Sequence, residues 1–443
     1  MKEGGTEWLT YGYAKYTTLY SVDDDYSGDK SYIDFPSLGT GKPTKTKFGF
    51  YAYGQLGIKT KTKTDAGLFK TRVEGGFSSS GRTFNLRYAF AEWGVTPDWT
   101  LGLGQGYRPV TEWAGFSTID GWGPMGMLAG PSRTPEVTLS WGRENNPISF
   151  TVSLEKPVDH NIVNLPTLKT DAKAKKKTGK SGGPLTILSD DEVKAYDDAT
   201  DDAGRQKVLG DEFELMSDSV AAGSWKSRGD QADGEKVGTV DRVPDLGAAF
   251  AYNKDQYWVQ LTGGLHQFST DDDDALGWTS QITTGVKLVE RVTLETSIHY
   301  GHGIGSVNLT DIPFSAWVDD KGKIQTPSAL GLYAGLTFKL SDTTSANLAW
   351  GLSKLVKDDL DDFLSPLDKS KWQSEVYAGG EGDITREIQT LHANIFYKPT
   401  PKWRFGVEVA HGKRWYWDLA QQGGPAKKSA DATRVGFGAW AFF

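Results

Sequence analysis

The chain has 443 residues, no cysteine and a formal net charge of −8, with a mean hydropathy of −0.47. The lack of cysteine excludes a disulfide framework and suits passage through an oxidising compartment, while the acidic balance speaks against a nucleic-acid partner. No apolar run approaches the ~20 residues of a spanning helix, but a barrel strand turns only half its side chains to lipid and averages polar.

The start, MKEGGTEW, lacks the apolar core of a signal peptide, so a mature sequence without its leader is expected. From Trp8, TYGYAKYTTLYS reads as a first strand, followed by a polar loop from Asp23 to Thr44. In KFGFYAYGQLGIK, Phe48, Phe50, Ala52, Gly54, Leu56 and Ile58 share one parity, against Lys47, Tyr51, Tyr53, Gln55 and Lys59. That period of two is the mark of a strand with one apolar face. After the turn TDAG, Phe69, Thr71, Val73 and Phe77 oppose Lys70, Arg72 and Glu74. In TFNLRYAFAEW, Phe84, Leu86, Tyr88 and Phe90 are expected on one face, with Asn85, Arg87, Ala89 and Ala91 on the other.

The same alternation continues in LGLGQGY, EVTLSWG and ISFTVSLEKP. Further on, DLGAAFAY faces YWVQLTGGLH across NKDQ, and QITTGVKLV faces VTLETSIHY. LGLYAGLTFKL faces SANLAWGL across SDTT, and REIQTLHANIFYK faces WRFGVEVAHG across PTPK. The last segment, TRVGFGAWAFF, alternates to a terminal aromatic, Phe443. The total is about 16 strands, each near the length of a tilted membrane strand.

Tight polar turns alternate with longer loops along the chain, and an even strand number brings both ends to the short-turn side, where they can pair. Aromatics gather near strand ends (Trp93, Trp99, Trp141, Trp258, Tyr397 and Trp403), as membrane interfaces require. The expected fold is all-β: one transmembrane antiparallel up-and-down barrel over residues 1–443, with short periplasmic turns and long extracellular loops.

On KFGFYAYGQLGIK, FKTRVEGGF, FNLRYAFAEWGV, PSRTPEVTLSWG and the terminal AWAFF, the chain resembles the homotrimeric general porins of the Gram-negative outer membrane. There is also some similarity to porins proposed to take up dicarboxylates and other organic anions. The resemblance implies an outer-membrane location, contact with the lipid bilayer and lipopolysaccharide, and a homotrimer. Gly102, Gly104 and Gly106 offer a small-residue face for packing between subunits.

Two interruptions stand out. Residues 107–133, YRPVTEWAGFSTIDGWGPMGMLAGPSR, resemble the third loop that folds into porin barrels and narrows the pore; the alternative is an outside loop packed on a neighbouring subunit. The constriction would set Arg108, Glu112 and Asp120 against Arg72, Arg87 and Arg133, with Lys47, Lys70 and Glu74 also lining the lumen. Residues 157–242 read as one outsized extracellular loop with charge blocks. Within it Lys173, Lys175, Lys176, Lys177 and Lys180 are candidates for lipopolysaccharide phosphates, and DEFELMSDSV has helical character. Asp271–Asp274 would occupy another outer loop, with oxygen density suited to Ca²⁺.

No HExxH, P-loop or CxxC motif occurs, and such motifs would carry catalysis or metal binding. Ser297, His299, Thr390 and His392 fall on the polar parity, as any watery lumen requires. The expectation is a non-enzymatic channel without cofactor, passing ions and small hydrophilic solutes by passive diffusion. The mostly basic wall points to a weak anion preference; a channel selective for small organic anions is the alternative.

Overall fold

The computed structural model describes residues 5–22, 48–78, 83–111, 117–119, 125–126, 133–142, 146–157, 162–164, 176–179, 186–187, 195, 198, 207, 213–215, 242–270, 273–303, 315–318, 323–356, 385–416 and 429–443. The wall opens with β1 (Glu7–Ser21), β2 (Phe48–Thr64), β3 (Gly67–Ser78), β4 (Thr83–Gly94), β5 (Trp99–Tyr107), β6 (Arg133–Trp141) and β7 (Ile148–Glu155). The chain then leaves it through β8 (Ile162–Asn164), β9 (Lys176–Gly179), β10 (Thr186–Ile187) and β11 (Phe213–Leu215). It returns as β12 (Asp245–Lys254), β13 (Tyr257–Ser269), β14 (Asp274–Val289) and β15 (Val292–His302). After β16 (Ala316–Val318) and β17 (Ile324–Gln325) come β18 (Ser328–Lys339), β19 (Thr344–Leu355), β20 (Thr385–Thr400), β21 (Trp403–Tyr416) and β22 (Ser429–Phe442).

Sixteen of these strands form one closed barrel, while β9–β11 and β8, β16 and β17 make two small three-stranded sheets. Every neighbour pair in the barrel is antiparallel, and β22 closes on β1 with Phe442 opposite Tyr13. Phe443 carries the seam further: its N–H donates to the Gly12 carbonyl at 3.1 Å and its carbonyl accepts from Gly12 N–H at 3.2 Å. Closure leaves no open backbone edge, the condition for strands in hydrocarbon.

The period of two sorts side chains between the two sides of the wall. Phe50, Leu56, Val73, Val137, Leu154, Leu261, Ile298, Ile395 and Val407 stand exposed on the outside. On the opposite parity Thr283, Ser297, His299, Ser353, Thr390 and Glu408 are buried. A water-soluble protein hides its apolar face; this chain wraps its apolar face around a polar interior, an arrangement that calls for a lipid surround. Trp93, Trp99, Tyr397 and Trp403 are exposed beside short turns, the interfacial position their amphipathic rings favour.

Several details depart from simple alternation. Glu74 pairs with Tyr88 but Gly75 pairs with Leu86, so Arg87 is an extra residue in β4. This bulge re-aims the strand: Phe84 and Leu86 stay outside, while Tyr88 and Phe90 turn inward instead of sharing their face. Trp258 likewise leaves the expected girdle, its indole lying over Gly285 on the inner side. Gly102 and Gly106 are no subunit-packing face, because Cβ atoms there would meet Phe90, Thr138 and Glu136 inside the barrel. Phe213–Leu215 of the supposed helical stretch form strand β11. Asp274 already belongs to β14, and Thr270 N–H bonds the Asp273 carbonyl at 2.8 Å.

Candidate pore-lining site

The densest polar cluster on the inner wall grows from the sequence KTRVE of β3 and the bulge of β4. Alternation puts Arg72 and Glu74 on the same side, and Arg87, at the bulge, joins them. Glu74, 1% exposed, accepts from Arg72 Nη2 at 2.5 Å, Arg87 Nε at 2.6 Å and the Tyr11 hydroxyl at 2.6 Å. Arg72 Nε donates to Tyr11 at 2.7 Å, and its guanidinium lies 3.5 Å over the Tyr88 ring. Arg87 also donates to the hydroxyls of Tyr53 at 3.1 Å and Tyr107 at 3.0 Å. Arg133 Nη1 reaches the same Tyr107 hydroxyl at 3.4 Å, and Lys59 Nζ stands 4.8 Å over Tyr11.

Among the described residues Arg72 and Arg87 thus share the Glu74 carboxylate, while Arg133 and Lys59 approach the same group of tyrosines. The tyrosines hold the guanidinium planes by stacking and hydroxyl contacts and leave a surplus of positive charge on this wall. Lys70 extends the basic row, opposite Lys61 on one side and Glu92 on the other.

The segment after β5 runs to the opposite wall. Asn394 Nδ2 donates to the Ser117 carbonyl at 2.9 Å, and Ile119 N–H donates to Glu408 Oε2 at 3.1 Å. Ile119 is fully buried with Leu19, Phe396 and Trp440. Met125 N–H donates to Thr390 Oγ1 at 2.9 Å, and Gly126 N–H to Ser353 Oγ at 2.8 Å. These partners belong to the inner sides of β1, β19, β20, β21 and β22, so residues 117–119 and 125–126 lie inside the barrel. Short backbone N–H to side-chain hydroxyl bonds satisfy donors that would otherwise be orphaned there.

Arg72, Glu74, Arg87 and Arg133 therefore come together, with Lys70 alongside. Arg108 does not join them: buried to 6% exposure, its Nε bonds Glu155 and its Nη2 stands 3.6 Å from Asp245. Asp245 in turn meets His266 Nδ1 at 2.6 Å. Arg108 pins the start of the inward segment to β7 and β12. Lys47, Glu112, Asp120, Lys173, Lys175, Lys180, Asp271 and Asp272 lie outside the described residues.

Sequence reading missed the tyrosines that orient the arginines and the acceptors Ser353, Thr390, Asn394 and Glu408 that receive the inward segment. Their inner parity was visible, but nothing in one strand announces which distant backbone N–H it will meet. Among the expected polar pairs, His299 Nε2 engages Thr279 at 2.5 Å, and Ser297 Oγ engages Gln281 at 2.9 Å and Thr283 at 3.0 Å. Asp273 is taken up by Lys323 Nζ at 2.7 Å and Ile324 N–H at 2.8 Å. Asp274 is taken up by Arg242 at 2.9 Å.

No protein-family model matches the chain, and no curated protein matches it. Solved structures do. The outer membrane channel DcaP of Acinetobacter baumannii superposes with a TM-score of 0.65 at 16% identity, over 99% of this chain and 98% of that one. The anion-selective porin of Comamonas acidovorans gives 0.55 at 10% identity, over 99% and 100%. OmpF of Salmonella typhi gives 0.51 at 11% identity, over 98% and 97%. At such identities the likeness is one of fold: the chain is a closed barrel of the 16-strand porin type.

Proposed function

We propose that this porin-fold barrel is a non-enzymatic, water-filled outer-membrane channel for passive diffusion of ions and small hydrophilic solutes, with a preference for anions. The observation that carries the preference is the row of Lys59, Arg72, Arg87 and Arg133, of which, among the described residues, only Arg72 and Arg87 are bonded to a carboxylate, that of Glu74. Fixed positive charge beside a narrow aqueous path raises the local anion concentration and repels cations.

The narrowing is assigned to residues 107–133. Their described parts cross to the inner side of β19–β22, which leaves the passage between them and the Arg72–Arg87 wall. The whole chain acts as one barrel domain, with residues 157–242 as an extracellular excursion. Assembly as a homotrimer, with lipopolysaccharide around its rim, is part of the same reading and is supported by the porin-like architecture.

Reconstitution in planar bilayers under a salt gradient tests the proposal. Stepwise conductance with a reversal potential on the chloride side is the expected result, and steps in threes are expected for a trimer. A cation-side potential removes the anion preference, and block by a small organic anion at low concentration marks a selective channel instead.

A further inference from the structure

A second cationic site lies away from the Arg72 cluster, at the rim of short turns. A cavity of about 320 Å³ opens between Ser117 of the inward segment and the wall, lined among others by Lys339, Asp342, Asn347, Phe396, Lys398 and Arg404. Arg404 follows the turn between β20 and β21, Lys398 precedes it, and Lys339 sits at the adjacent turn between β18 and β19. The cavity therefore faces the same mouth of the barrel as the paired chain ends.

Arg404 is held by rings instead of carboxylates. Its guanidinium stands 4.1 Å over Trp440 and 4.9 Å over Phe396. Nη1 reaches Ser117 Oγ at 3.4 Å, and Nε, shielded from solvent, has no hydrogen-bond partner. Among the described residues no carboxylate pairs with Arg404 or Lys398, and Lys339 alone has one, Asp342 at 2.9 Å. A largely shielded guanidinium without a counter-charge is costly. Ring faces offset part of that cost but leave the N–H edge unfilled.

We propose that this cavity binds a compact oxyanion carrying two or more charges, of which inorganic phosphate is the simplest. Arg404 supplies a planar fork whose orientation the rings fix, the geometry that suits oxyanions. Lys398 adds a point charge, the charge of Lys339 is offset by Asp342, and Ser117 and Asn347 supply uncharged polar groups. The volume is at the small end of ligand sites, which favours a compact anion over an extended one. An anion seated there touches both the inward segment and the wall, so it also ties residue 117 to β21.

This site is independent of conduction, and its test is a binding measurement on the full chain folded in detergent. In equilibrium dialysis with labelled inorganic phosphate against excess chloride, one phosphate per chain is expected. Binding should persist in the double variant Arg72→Gln/Arg87→Gln, weaken at least tenfold in Arg404→Gln and weaken severalfold in Lys398→Gln. Lys398 is exposed, so its variant reports on the site even if Arg404→Gln folds poorly. Parent protein without phosphate binding, or parent-like binding in Lys398→Gln and folded Arg404→Gln, overturns the proposal. Loss of binding in the Arg72→Gln/Arg87→Gln variant does so too.

Discussion

Replacing Arg72 by Gln removes one of the two cations bonded to Glu74 while disturbing the fold least. Its side chain retains 30% exposure, against 19% for Arg87, and Glu74 keeps Arg87 and Tyr11 as donors. A unit charge about 4 Å from a passing ion in water is worth about 1 kcal/mol. Screening over a Debye length of roughly 8–10 Å reduces this to about 0.6 kcal/mol. Chloride loses that attraction and potassium loses an equal repulsion, so each permeability changes about threefold and their ratio falls roughly sevenfold. The assay is the reversal potential in a potassium chloride gradient across a planar bilayer, with Arg72→Lys as the charge-preserving control. A ratio that stays within twofold of the parent in Arg72→Gln, or that rises, refutes the assignment of selectivity to this cluster.

The β1–β2 pairing and the closure seam both depend on Gly12, where a Cβ would run into the Gln55 carbonyl oxygen and stand 2.5 Å from Cζ of Phe443. Gly12→Val is expected to lower stability by about 1–3 kcal/mol through overpacking, read as loss of the compact band in unheated gel electrophoresis; parent-like heat resistance contradicts it. Ser353→Ala combined with Thr390→Val strips the acceptors from Gly126 and Met125 N–H, at about 1–3 kcal/mol for each buried donor left unpaired. Noisier single-channel current is expected, and an unchanged trace speaks against anchoring by these hydroxyls. In the turn after β13, the Lys323 ammonium and then the Ile324 N–H hold the Asp273 carboxyl below its ordinary value. A depressed pKa means the contact is fully present above the unfolded value, near pH 4, and is lost as pH falls through the folded one. Hydrogen exchange at Ile324 N–H, corrected for its intrinsic rate, should therefore be protected at pH 7 and unprotected in strong acid; constant protection would argue against the latch.

The strands were legible because each carries its own record. Phe48 to Ile58, Phe69 to Val73 and Val292 to His299 alternate over enough residues to specify strand, inner face and register within one segment. The hairpins around NKDQ, SDTT and PTPK were equally local. Reading failed where a strand carries an irregularity. Tyr88 and Phe90 turn inward because β4 carries one extra residue opposite β3, and a bulge belongs to the pairing of two strands, invisible in either alone. Trp258 shows a related limit: a tryptophan near a turn suits either a lipid interface or an inner ledge over Gly285, and residue type does not distinguish them.

Of the candidate site, the cationic residues Arg72, Arg87 and Arg133 could be named from parity and composition, but their partners could not. Tyr11, Tyr53, Tyr88 and Tyr107 come from four strands, and Arg108 finds Glu155 and Asp245 on β7 and β12, two and three strands along the wall from β5. The same holds for Ile119, Met125 and Gly126, whose acceptors lie more than 200 positions away in the chain. Sequence by itself determined the architecture, since alternation and turn chemistry act between residues close along the chain. Only the tertiary structure decided which charges share a counter-ion and where residues 117–119 and 125–126 dock, because those contacts exist once curvature has carried distant strands to face one another.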